Sequence, residues 1–114
     1  RTLSGHTSAV CSVAVRRDGT LFSGSWDKTI KVWSGTDGDL LRTLHGHSGR
    51  VLSMAIAPDG ALLSGGYDGM RVWYPQQGWS SDALVQGRTT VYALAVGMGG
   101  RVYSTSRDKV LFWC

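Results

Sequence analysis

Three stretches of the chain alternate large and small uncharged side chains with a period of two. In 10–15 Cys11, Val13 and Val15 alternate with Ser12 and Ala14. In 51–56 Leu52, Met54 and Ile56 alternate with Ser53 and Ala55, and in 91–96 Tyr92, Leu94 and Val96 alternate with Ala93 and Ala95. Period two predicts β-strands. Neither face carries charge, so both faces are expected to be covered. Bulk on one side and small residues on the other suit sheets stacked tightly face to face.

Each stretch is followed by a turn pair, Asp18-Gly19, Asp59-Gly60 or Gly99-Gly100. Such pairs tolerate the positive φ of a two-residue hairpin. Second strands are expected over 21–25, 62–66 and 102–106, and third strands over 29–33, 70–73 and 110–113. Polar loops follow at 34–39 and 75–82, then short fourth segments at 40–44 and, more weakly, 83–85. Residues 1–3 read as the end of another fourth segment.

The same signals recur at a spacing of roughly 41 residues. Gly5-His6 returns as Gly46-His47 and, altered, as Gly87-Arg88. Phe22-Ser23-Gly24-Ser25-Trp26-Asp27 returns as Leu63-Ser64-Gly65-Gly66-Tyr67-Asp68, then as Tyr103-Ser104-Thr105-Ser106-Arg107-Asp108. Val32-Trp33 returns as Val72-Trp73 and Phe112-Trp113. A unit this short cannot bury its own apolar face, so units must stack. The expected division is 1–39, 40–81 and 82–114.

Four-stranded antiparallel meanders with these motifs resemble the WD40 repeat family of β-propellers. The resemblance covers essentially the whole chain and weakens in the third unit. The fold class implied is all-β, three propeller blades forming part of a ring. The name-giving dipeptide is degenerate, since Trp33-Ser34, Trp73-Tyr74 and Trp113-Cys114 lack the aspartate. The resemblance implies a buried polar network in each blade: His6, Ser23, Asp27 and Trp33; then His47, Ser64, Asp68 and Trp73. A buried aspartate needs donors, which imidazole and hydroxyl supply. In the third unit Ser104, Asp108 and Trp113 match, while Arg88 stands in the histidine's place. Ser, His and Asp together invite a catalytic reading, but the trio recurs at matching offsets without a nucleophile elbow, as a structural element made twice would. His45 reads as a surface histidine, and the glycines of 97–100 as a turn. No enzyme activity, cofactor or metal site is expected.

The resemblance places a partner on the loop face near the central channel. The corresponding positions are Trp26, Tyr67 and Arg107 before the turn aspartates, then Cys11, Leu52 and Tyr92, with Ala9, Arg50 and Thr90 two residues earlier. Trp26, Tyr67, Arg107, Arg50, Leu52 and Tyr92 are the candidate contacts, since Trp, Tyr and Arg dominate interface hot spots. Trp26 has the alternative of packing over its own blade edge. Trp79 either anchors another chain at the outer rim or covers its own blade.

Composition adds bounds. The 16 Gly and 2 Pro suit many strands and tight turns. The net charge of +4 is mild, without a run of like charges, and reads as a solvated surface. Cys11 and Cys114 form neither a disulfide framework nor a zinc pattern; Cys11 is expected as a small core or near-surface residue, and a reducing, intracellular setting fits. No apolar run is long enough to span a bilayer. Propellers usually have about four to eight blades, so three leave bare faces at both ends. The missing blades belong to a longer parent chain or come from identical copies, with a six-bladed dimer as one form. The leading function is a protein–protein interaction scaffold. The alternatives are a phosphopeptide-binding substrate-recognition module of a ubiquitin ligase, then a nucleic-acid-binding propeller, whose affinity would collapse with rising salt.

Overall fold

The computed structural model describes residues 3–83, 90–97, 100–106 and 110–113. They form three antiparallel sheets. Blade one is β1 (Val10–Val15), β2 (Leu21–Ser25), β3 (Ile30–Trp33) and β4 (Leu40–Leu44), in that spatial order. Blade two is β5 (Val51–Ile56), β6 (Leu62–Gly66), β7 (Gly69–Tyr74) and β8 (Ser80–Ala83). Blade three contributes β9 (Ala93–Val96), β10 (Val102–Thr105) and β11 (Val110–Trp113). Stacking runs through the first strands, β1 onto β5 and β5 onto β9.

The blades are joined by apolar side chains that no single sheet could bury. Phe22, Ile30 and Val32 of blade one share a cluster with Val51, Met54, Leu62 and Trp73 of blade two. A second cluster joins Ala61, Leu63 and Val72 of blade two to Leu94, Val96 and Val102 of blade three. Each fully buried aliphatic side chain contributes about 1.5–3 kcal/mol relative to exposure. Hydrogen bonds also cross the second junction, from the Leu94 N–H to Ser53 Oγ at 3.0 Å and from the Val91 N–H to the Gly66 carbonyl at 2.9 Å.

The turns after the first strands differ from the expectation. The Arg16 N–H donates to the Thr20 carbonyl and the Gly19 N–H to the Arg16 carbonyl, both at 2.9 Å, with Gly19 at φ 90°. That is a three-residue loop with a glycine bulge rather than a two-residue hairpin. The Ala57–Ala61 segment repeats it, with Gly60 at φ 90°. A two-residue loop occurs instead between β6 and β7, where Gly66 pairs with Gly69 around Tyr67-Asp68.

Three further expectations are corrected. The fourth strand of blade two begins at Ser80, not at 83, because Pro75–Gln77 form a short 3-10 turn and Gly78 (φ 67°) and Trp79 (φ 63°) reverse the chain early. Leu3 lies outside any strand, and residues 1 and 2 lie outside the described residues. On β1 the large side chains are not covered: Val10, Val13 and Cys11 are exposed, since among the described residues no blade lies on that side.

Candidate functional site

The polar network repeats in two blades. In blade one Trp33 Nε1 donates to Ser23 Oγ at 2.8 Å, and His6 Nε2 lies 2.7 Å from the same oxygen. His6 Nδ1 stands 2.9 Å from Asp27 Oδ2. In blade two the distances are 2.8 Å from Trp73 to Ser64, 2.6 Å from Ser64 to His47 and 2.7 Å from His47 to Asp68. One proton assignment satisfies the whole chain. The indole N–H donates to serine, the serine O–H to Nε2, and the Nδ1–H to aspartate.

The carboxylates also hold the preceding loop. Asp27 accepts from the backbone N–H groups of Thr7 at 3.0 Å and Thr29 at 2.9 Å. Asp68 accepts from the Ser48 N–H at 2.8 Å. Burial alone would raise the Asp27 carboxyl; hydrogen bonds from the Thr29 and His6 side chains and from those backbone N–H groups outweigh it and hold the carboxyl well below the carboxylate range. Asp68 is lowered too, its burial outweighed mainly by the His47 and Ser48 donors. For His47, burial pushes the imidazole down and prevails over the pull of Asp68 upward.

This arrangement is structural rather than nucleophilic. Ser64 is fully buried, and its oxygen already accepts a hydrogen bond from the Trp73 indole N–H. What the network does is fix the turn that carries the outward-pointing aromatic residue. The aspartate turns in and its predecessor turns out. The Trp26 N–H is tied to the Ala9 carbonyl at 2.9 Å, and the Tyr67 N–H to the Arg50 carbonyl at 3.1 Å.

Trp26, Arg50 and Tyr67 meet at the junction of blades one and two. The Arg50 guanidinium carbon sits 4.0 Å from the Trp26 ring centroid and 5.7 Å from that of Tyr67. Both lie within cation–π range, worth about 0.5–1 kcal/mol at an exposed site. Trp26, Tyr67 and Tyr92 remain 41, 45 and 47% exposed. Leu52 is half-buried at a bulge in β5, where pairing jumps from Val51 to Ser53. Cys11 occupies the same bulge position in β1 and is exposed, which selects the near-surface alternative over the core. Thr90 Oγ1 donates to the Tyr67 carbonyl at 3.5 Å. Arg107, Asp108 and Arg88 lie outside the described residues. Ser104 is buried, and Trp113 is placed here only as a β11 residue paired with Val102.

Trp79 packs on the cluster that holds Leu62 and Trp73 of its own blade, and it also reaches the neighbouring one. Its ring meets Phe22 of the neighbouring blade edge-on, with centroids 5.4 Å apart and planes at 65°. Arg42 Nη1 donates to the Gly78 carbonyl at 3.2 Å beside it. The segment from Gly78 to Trp79 therefore clasps blade one from blade two. Sequence reading missed this contact and the cross-blade stacking of Arg50, because both join positions with no local signal.

Stacked four-stranded antiparallel sheets with this network define blades of a β-propeller. The model of the WD domain, G-beta repeat matches residues 1–34 and 38–73, and the chain belongs to the WD40 repeat family. Two curated relatives are similar over a short stretch: the Phospholipase A-2-activating protein of Xenopus laevis and Protein DOA1 of Saccharomyces cerevisiae, each 59% identical over 32 residues. That stretch is 28% of this chain and 4% of either relative. The crystal structure of the WD40 beta propeller domain of Doa1 superposes with a TM-score of 0.78 at 26% identity, covering 94% of this chain and 36% of that one. The chain thus spans about a third of that solved propeller. Among the described residues no helix is long and apolar enough to cross a membrane.

Proposed function

We propose that this chain is an interaction scaffold whose loop face, built on Trp26, Arg50, Tyr67 and Tyr92, receives a segment of a partner protein within a larger assembly. The observation that carries this reading is the stacked guanidinium between two half-exposed rings. Rigid turns hold Trp26 and Tyr67 out of the sheets, so little side-chain entropy is lost on binding. The Arg50 guanidinium beside the rings favours an acidic side chain or carboxylate in the bound segment. Leu52 lines the same face one strand inward. The phosphopeptide reading rests on Arg50 and Arg107 together, and it predicts that phosphopeptide capture is lost when both are changed.

The test is a random peptide library panned against the full chain, followed by anisotropy titration of the selected peptides. Arg50→Ala and Trp26→Ala should each weaken binding by about tenfold or more, equivalent to roughly 1.4 kcal/mol. Thermal melts should move little. Peptides that bind both variants as tightly as the unaltered chain would refute the assignment.

A further inference from the structure

Each blade junction is closed by the same pair. Val51 of blade two enters the space above Gly24 of blade one, and Val91 enters the space above Gly65 of blade two. A Cβ on Gly24 would stand 2.7 Å from Val51 Cγ1, and one on Gly65 only 2.5 Å from Val91 Cγ1. Both valines are fully or almost fully buried. The glycines are therefore holes that the stacking distance requires, since any β-carbon there would push the sheets apart.

Val10 is the matching knob of blade one, and it is 52% exposed. Beside it lies a hollow of about 160 Å³ lined by Leu3, His6, Val13, Leu21, Ser23 and Trp33. Blade two meets Phe22, Ile30 and Val32 of blade one at the corresponding place. A blade seated on β1 must thus offer a large apolar residue followed two positions later by glycine, as Phe22-Ser23-Gly24 and Leu63-Ser64-Gly65 do.

Blade three does not offer it. Thr105 pairs with Ala93 and Val110, as Gly65 pairs with Ser53 and Met70, and Gly24 with Ser12 and Ile30. Ile30 and Met70 are buried, whereas Val110 is 73% exposed. Thr105 therefore stands at the hole position of the free face that a second copy would present. We infer that the β1 face takes a glycine-bearing blade from outside this 114-residue chain, and that a head-to-tail copy of this chain is refused by the Thr105 side chain.

Sedimentation equilibrium of the full chain and its variants tests this, with circular dichroism confirming β-structure in each. Thr105→Gly opens the hole and should strengthen self-association by about tenfold or more, whether the product is a closed ring or an open run. Thr105→Ala retains a Cβ and should behave as the unaltered chain. Adding Val10→Asp to Thr105→Gly should abolish the gain. Val10→Ala, which shortens the knob and leaves β10 untouched, should raise association a few-fold. The inference falls if the unaltered chain already self-associates through Val10 as tightly as Thr105→Gly, if neither Thr105→Gly nor Val10→Ala shows a gain, or if Thr105→Ala gains as much as Thr105→Gly.

Discussion

Blades one and two carry nearly the same pattern and end in different environments. Val51 is fully buried where Val10 is half exposed, and Met54 is 7% exposed where Val13 is 63% exposed. The alternation along a first strand therefore encodes a capacity to stack, and the neighbouring blade converts it into burial. The outer turns differ as well. Blade one closes β2 and β3 through Trp26, Asp27 and Lys28, with Lys28 at φ 74°, while blade two does so through Tyr67 and Asp68 alone, with Gly69 at φ 110°. The extra residue in blade one puts a lysine in the left-handed region, where a Cβ is disfavoured.

The sharpest way to break this comparison is to truncate both members of one aligned pair. Met54→Ala should cost about 2–5 kcal/mol in urea unfolding, because the cavity opens between two blades. Val13→Ala should stay within about 0.5 kcal/mol. Similar losses at both sites would mean that β1 is covered in solution.

Acid should act next. Asp27 and Asp68 titrate lower in the folded chain than unfolded, so the unfolded chain binds more protons below about pH 4. Their contribution is present above that value and is lost as pH falls through the folded pKa values. His47 is also held low, so its share is lost earlier, as pH drops below the unfolded value near 6.5. Urea midpoints should fall in two stages, and His47→Gln should remove the upper stage that blade two contributes. A flat profile between pH 7.5 and pH 5 would contradict the buried neutral imidazole.

The smallest effect belongs to the turn. Lys28→Gly relieves about 1 kcal/mol of left-handed strain and returns part of it as unfolded-chain entropy. The net gain should be about 0.5 kcal/mol, read as a rise in melting temperature. Gly69→Lys in blade two should do the reverse.

Strand positions were legible where chemistry is local. Period two located β1 and β5 to the residue, and the recurring Ser-Gly pairs located β2 and β6. The Asp-Gly pairs located turns but not their kind, since two-residue and bulged loops both put glycine at positive φ. The decision lies in the hydrogen bonds of Arg16 and Ala57, which a dipeptide does not specify. The stretch from Pro75 to Trp79 was opaque for another reason. Its left-handed tryptophan is held by a ring in a different blade, and nothing within the segment announces that contact. On the loop face the aromatic positions were legible by alignment of the units. The guanidinium between them was not, because it depends on how far one blade is turned against the next.

The clasp by Trp79 bears on how the polypeptide matures. Synthesis delivers Phe22 long before the residue that seats on it, and Val51 and Met54 also arrive later. A nascent stretch that has extruded only β1 to β4 lacks Val51, Met54, Leu62 and Trp73, against which Phe22, Ile30 and Val32 are buried, so it gains little by settling early. The sheet of β1 to β4 is expected to acquire protease resistance only once the segment through Ser80 has left the ribosome tunnel, making the second meander the template on which the first is finished.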